Sequence, residues 1–184
     1  GSYDPKAEKH YTEAQWGHRD AKQWLPGEVD VSIRPGWFYH HREDHQVRSV
    51  ANLVNLYYQS VGRGANLLLN CPINLDGKIP AIDSARLIAW HSHLQRSFQH
   101  NLLRGIAPSV TNQRPGKLFL PQHLTDGNIK TYWAGADGTK TAQLTFRLPR
   151  PTELNTVALQ EYLNLGQRVE RFRLEVADAT GRFS

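Results

Sequence analysis

The chain has 184 residues and a net charge of +5, with 39% hydrophobic and 21% charged residues. That is the make-up of one ordinary globular domain or two small ones, not of a disordered chain. The 22 Lys and Arg are scattered without a run of five or six like charges, so the positive balance permits nucleic-acid binding without arguing for it, and no apolar run approaches the ~18 residues needed to span a bilayer.

Residues 1–23 are polar, charged and without a sustained period, and read as an irregular segment. No signal peptide is visible, and Gly1-Ser2 reads as a cloning remnant, which would account for that. From Gly27 to Ile33 the sequence GEVDVSI alternates, with Val29, Val31 and Ile33 on one side and Glu28, Asp30 and Ser32 on the other, so a strand is expected. Pro35-Gly36 ends it. Asp44 is a plausible N-cap for a helix in which Val47, Val50, Val54, Tyr57 and Val61 recur three or four apart, with Leu53 and Leu56 widening the stripe. Gly62 and Gly64 can supply its C-terminal turn. The run Leu67–Leu69, closed by Pro72, reads as a strand buried on both faces. Asp76-Gly77 makes a turn. Asp83 is a second candidate N-cap, ahead of Leu87, Trp90, Leu94 and Phe98 at helical spacing. Strand, helix, strand, helix points to parallel βα units, and two such units close no barrel.

Past about residue 105 the helical period is lost and Pro, Gly and Thr increase. Short candidate strands follow: KLFLP, AQLTFRL, TVALQEYL and VERFRLEVA, some separated by DGN and DGT turns. A β-rich second domain is expected, a sandwich or jelly roll. The domains are drawn as residues 1–105 and 106–184.

Five Trp and seven Tyr stand out. Such rings offer rigid stacking surface with a polar edge, which suits sugars, since a pyranose presents apolar C–H patches beside hydroxyls. RPGWFYH, residues 34–40, puts three rings, an arginine and a histidine on a Pro-Gly turn. Glu28 and Asp30 share a face of the strand leading into it. In parallel α/β folds ligands bind beyond the C-terminal strand ends, so this strand and turn form a site candidate, against the alternative of a polar solvent-facing edge. Trp37 can stack on an apolar sugar face or plug the core beneath a loop, and the residues alone favour the plug. His91 and His93, two apart on a helix, share no face, and no HExxH, GxSxG or phosphate-loop motif occurs. The lone cysteine, Cys71, follows leucines and reads as a buried, inert thiol.

The stretches WLPGEVDVSIRPGWFYHHRED (24–44) and LVNLYYQSVGRGANLLLNCPINLDGKIPAIDSARL (53–87) resemble the α-L-fucosidases, retaining glycoside hydrolases of family 29. Their order is similar to that of the last strands and helices of the family's (β/α)₈-like catalytic barrel. LTDGNIKTYWA (124–134) and LQEYLNLGQRVERFRLEV (159–176) resemble the β-sandwich that follows it, a discoidin-like, galactose-binding-like module.

The resemblance implies removal of terminal α-L-fucose from oligosaccharides or glycoconjugates with retention, using a nucleophile and an acid/base roughly 5–5.5 Å apart. The closest match is to the subgroup that prefers α1,3/1,4 linkages. The nucleophilic aspartate of the family lies on an earlier strand, and no residue between Gly1 and Gln23 matches it. Glu28 matches a glutamate discussed as acid/base in some members. In the subgroup this chain most resembles, the acid/base looks to lie upstream as well, which would make Glu28 a pocket carboxylate. Trp37 matches a position where the family sets a ring against fucose, with Arg34 and His40 bracing that wall or meeting hydroxyls. Asp126, Asn128 and Thr131 match a loop that binds calcium in many discoidin-like modules, with a structural Asx-turn as the equal alternative. No cofactor is implied for catalysis, and family likeness implies a periplasmic or secreted location. Barrel and sandwich both look incomplete, so the chain is expected to need the missing barrel portion to fold stably and to be inactive alone. A non-catalytic carbohydrate-binding module and a structural fragment are the other readings.

Overall fold

The computed structural model describes residues 25–178 and 180–183. The irregular segment expected over residues 1–23 lies outside them. The chain divides into two compact units, the first ending at Gln99 and the second starting at His100.

In the first unit, strand β1 (Glu28–Ser32) is followed by helix α1 (Val50–Gln59), strand β2 (Asn66–Asn70) and helix α2 (Ala81–Phe98). The strands pair in parallel, with Glu28 opposite Asn66, Asp30 opposite Leu68 and Ser32 opposite Asn70. A parallel pair needs a crossover, and α1 lies in it. Period two then sorts the faces. Glu28, Asp30, Ser32, Asn66, Leu68 and Asn70 share one side, Val29, Val31, Leu67 and Leu69 the other. At the end of the pair sits the core: Ile33, Val47 and Leu53 are buried, with Leu69, Cys71, Leu87 and Trp90 packed against them. Ile33 and Leu53 are wholly covered, each worth about 2 kcal/mol of burial.

Three local expectations are corrected. Asp44 does not cap α1. It sits in a 3₁₀ turn, His41–Gln46, and Ser49 is the cap, its hydroxyl accepting from the Asn52 N–H at 3.2 Å. Asp83 is not a cap either. It is the third residue of α2, behind Pro80 at the cap position, and it is buried. In both cases the carboxylate is turned toward Arg34 and not toward a helix end. Finally, Leu67–Leu69 is not covered on both faces, since Leu68 is 54% exposed on the side it shares with Asp30. The expected turns do form: Gly64 takes a left-handed φ of 78° after α1. At Asp76-Gly77 the Asn74 side chain accepts from the Asp76 and Lys78 N–H groups.

The second unit departs further. Among the described residues its only ladder joins β3 (Ser109–Val110) to β4 (Leu144–Thr145), antiparallel, with one isolated bridge between Ala177 and Phe183. KLFLP forms a 3₁₀ turn, Lys117–Phe119, instead of a strand. AQLTFRL keeps only Leu144–Thr145, and TVALQEYL forms none. VERFRLEVA reaches only the bridge at Ala177. The alternation is present, but a strand needs a ladder partner to satisfy its backbone. The described residues form neither a closed barrel nor a two-sheet sandwich. Local packing does occur there, as in the stacked Tyr132 and Tyr162 rings, 4.4 Å apart.

Candidate functional site

The aromatic turn leaves β1 at its C-terminal end, beside the end of β2. Its backbone is pinned by a small set of side chains. Ser32 Oγ donates to the Gly36 carbonyl at 2.7 Å and accepts from the Arg34 N–H at 3.3 Å. Asn70, the last residue of β2, donates from Nδ2 both to Ser32 Oγ (3.1 Å) and to the Trp37 carbonyl (3.0 Å). Arg48 donates to the Ser32 and Ile33 carbonyls from its side chain (2.8 Å) and backbone (3.0 Å). The Ser32, Ile33, Gly36 and Trp37 carbonyls are therefore all taken up. Two of the three rings are left outside: Trp37 is 51% exposed and Phe38 78%. The core plug favoured by the residues alone is thus overturned: half of the Trp37 surface is open, and the buried core of Ile33, Val47 and Leu53 does not include it.

Arg34 is the electrostatic centre. Its side chain is wholly buried. Nε donates to Asp83 Oδ2 at 2.8 Å and Nη2 to Asp83 Oδ1 at 2.7 Å, the two-pronged geometry that makes arginine–carboxylate pairs strong. Nη2 is also 2.9 Å from Asp44 Oδ1, Nη1 lies 3.4 Å from the His40 carbonyl, and the guanidinium sits 4.9 Å above the Tyr39 ring. The bonds to Asp83 foremost, then Asp44, raise the Arg34 pKa above its ordinary value against the opposing effect of burial. Asp44 carries the network outward to His41, whose Nδ1 is 2.9 Å from Oδ2. Arg34 therefore braces the turn from beneath. His40 is exposed at the end of the same stretch.

Glu28 is exposed on the face that also holds Asp30 and Asn66. It lies four residue steps before Ser32, about 13 Å at ~3.3 Å per residue. Of the two carboxylates, Asp30 is the nearer to the aromatic turn. Cys71, two residues after Leu69, packs on the core, and burial first, then the Asp83 charge, pushes its thiol pKa up. It is a poor nucleophile there.

In the second unit, Asp126, Asn128 and Thr131 do come together. Asp126 Oδ1 accepts from the Asn128 N–H (2.8 Å) and Oδ2 from the Thr131 hydroxyl (2.7 Å), while Asn128 Oδ1 accepts from the Lys130 N–H (3.0 Å). The Thr131 hydroxyl first, then the Asn128 N–H, hold the Asp126 carboxyl below the usual range. Among the described residues no group of three or more His, Cys, Asp or Glu could hold a metal ion.

The α-L-fucosidase family profile matches residues 3–97 of this chain, slightly more than half of it. The chain belongs to the α-L-fucosidase family. Among individual relatives, α-L-fucosidase 1 of Arabidopsis thaliana is 31% identical over 164 residues, which is 88% of this chain and 32% of that protein. A crystal structure from Bacteroides thetaiotaomicron assigned as an α-L-fucosidase is 41% identical with a TM-score of 0.67, over 76% of this chain and 31% of the other. A Ruminococcus gnavus GH29 fucosidase in complex with fucose is 32% identical with a TM-score of 0.64, over 68% of this chain and 25% of the other. The chain thus spans about a third or less of the length of these relatives. No helix among the described residues is long and apolar enough to cross a membrane.

Sequence reasoning singled out the rings of the turn but missed what holds them: Asn70, Ser32, Arg48 and Asp83. Asp83, early in α2, looks like a cap in the sequence and is the partner of Arg34 in the fold. The usable signal was Arg34, two residues beyond the end of β1, since a cation buried there requires a buried anion elsewhere in the chain.

Proposed function

We propose that this chain forms part of an α-L-fucosidase. In this reading the first unit supplies two βα units of a (β/α)₈-like barrel, and the second supplies the start of the sandwich that follows. The polar face of β1 and β2 then looks into the barrel, and the aromatic turn forms one wall of the fucose site. The observation that carries this is Trp37: a half-exposed indole on a fixed turn, at the C-terminal end of parallel strands. Fucose has a methyl group where galactose has a hydroxymethyl, and an apolar ring face is the matching surface. Burying that methyl is worth ~0.8 kcal/mol, and a hydroxyl in its place would lose hydrogen bonds to water as well.

The chemistry is hydrolysis with retention of a terminal α-L-fucosyl linkage, α1,3 or α1,4, on an oligosaccharide or glycoconjugate. A carboxylate attacks the anomeric carbon and forms a glycosyl-enzyme. A second carboxyl protonates the departing oxygen, then takes a proton from water. The nucleophile is assigned to a part of the enzyme outside this chain, and a periplasmic or secreted location fits a glycan substrate. Glu28 is this chain's candidate for the acid/base, or a pocket carboxylate if that group also lies elsewhere. His40 is positioned to meet a sugar hydroxyl from the end of the turn. A calcium ion is a poorer fit at the Asp126 turn. Such an ion takes six to eight oxygens, whereas both oxygens of Asp126 already accept from the turn's own donors. We therefore assign that loop a structural role.

Two experiments test this reading. The chain by itself should not turn over an aryl α-L-fucoside, and turnover would show that the nucleophile is within it. In a titration with L-fucose followed by the tryptophan indole N–H signals, Trp37 should move. A response confined to Trp133, in the second unit, would instead support a separate carbohydrate-binding module.

A further inference from the structure

We infer that the Arg34–Asp83 ion pair is a positioning device that sets the direction of the Trp37 ring. This rests on the reading of Trp37 as a site residue. The residues before and after the rings converge on one cation. Arg34 begins the stretch, and its guanidinium takes the His40 carbonyl and the Asp44 carboxylate that follow it. It closes a loop of seven residues, 34–40, with Trp37 midway. Asp83 then fixes that closed loop to the first turn of α2 by two bonds of 2.8 and 2.7 Å. Because a guanidinium is a planar fork, these bonds fix its orientation as well as its distance. A lysine would keep the charge and lose the orientation. Tyr39, under the guanidinium, cannot rotate away without uncovering it. The other fixed point of the turn is Asn70, which holds the Trp37 carbonyl from β2. Arg34 and Asp83 are joined to Trp37 through the backbone of the turn.

A purely stabilising ion pair would lower stability when broken and leave the ring where it is. The two cases separate in nitrogen-labelled spectra of the whole chain, with the Trp37 indole N–H assigned through Trp37→Phe. In Arg34→Lys and in Asp83→Asn the sharp Trp37 indole signal should shift and broaden, while that of Trp133 stays in place. Asp44→Asn, at the partly exposed outer arm, should give the same change in smaller degree with the fold kept. If the Trp37 signal is unchanged in a folded Arg34→Lys or Asp83→Asn chain, the inference is wrong. Should both unfold, an unchanged signal in Asp44→Asn overturns it equally. Added L-fucose then gives a separate reading. A wild-type Trp37 signal that ignores the sugar would remove the pocket without touching the anchor, which is judged by the sugar-free Trp37 signal in the variants.

Discussion

The two units of this chain carry equally clear sequence patterns and meet different fates. In the first, alternation over Gly27–Ile33 and a helical stripe after Ser49 yield a paired strand, a helix and a buried core. In the second, alternation over residues 156–163 and 169–177 yields no ladder longer than the pair Ser109–Val110 with Leu144–Thr145. Leu159, Phe172, Leu174 and Val176 are all more than half exposed. The difference is one of partners. A helix satisfies its own backbone, and α1 needs only one apolar face covered. A strand satisfies nothing by itself. In the first unit β1 finds β2 in register over five residues, whereas the second unit's candidate strands find no such neighbour among the described residues.

The contrast can be broken most directly in the core. Leu53→Ala should cost about 3 kcal/mol in urea unfolding of the first unit, whereas Leu165→Ala, at a half-exposed position, should stay within about 0.5 kcal/mol. Equal effects would show that Leu165 is packed as firmly as Leu53. Removing the charge at Asp83 by Asp83→Asn should cost about 3 kcal/mol, because it leaves Arg34 buried without its main partner. Glu175→Gln, in the exposed Arg173–Glu175 pair, should cost about 0.5 kcal/mol or less. A smaller step tests where α1 begins: Ser49→Ala should lower stability by about 1 kcal/mol through loss of the cap, and a silent Ser49 with a costly Asp44→Ala would restore the rejected cap.

The smallest effect concerns pH. The Asp126 carboxyl is held below its ordinary pKa by Thr131 and Asn128. Its contribution to the turn is therefore complete above the unfolded value, near 4, and is lost as pH falls through the lower folded value. The Asn128 amide signal should hold steady down to about pH 4 and shift below it. Asp126→Asn should abolish the step, and a step centred above pH 4 would contradict the assigned bonds.

The parallel βα order of the first unit was legible because period two and period 3.6 are properties of neighbouring residues. So was the aromatic turn, since Pro35-Gly36 and three rings need no distant contact to be noticed. What could not be read was which partner each charged residue takes. Asp44 and Asp83 look like caps in one dimension, and only the fold brings Arg34, 49 residues away from Asp83 in sequence, between them. Asn70 reads as the end of a strand, yet its amide fixes the Trp37 carbonyl 33 residues earlier. In the second unit the candidate strands were legible as pattern, yet among the described residues only Leu144–Thr145 of them pairs in a ladder, because pairing is decided by residues far along the chain.

The measurement that bears most directly on the proposed role is the relative affinity of the chain for L-fucose and L-galactose, which differ only in a hydroxyl on C6. If Trp37 is the apolar wall, fucose should be preferred by about fourfold or more, the worth of one buried methyl, and Trp37→Ala should bring the ratio to about one. An unchanged preference in Trp37→Ala, or no preference in the wild-type chain, would contradict it.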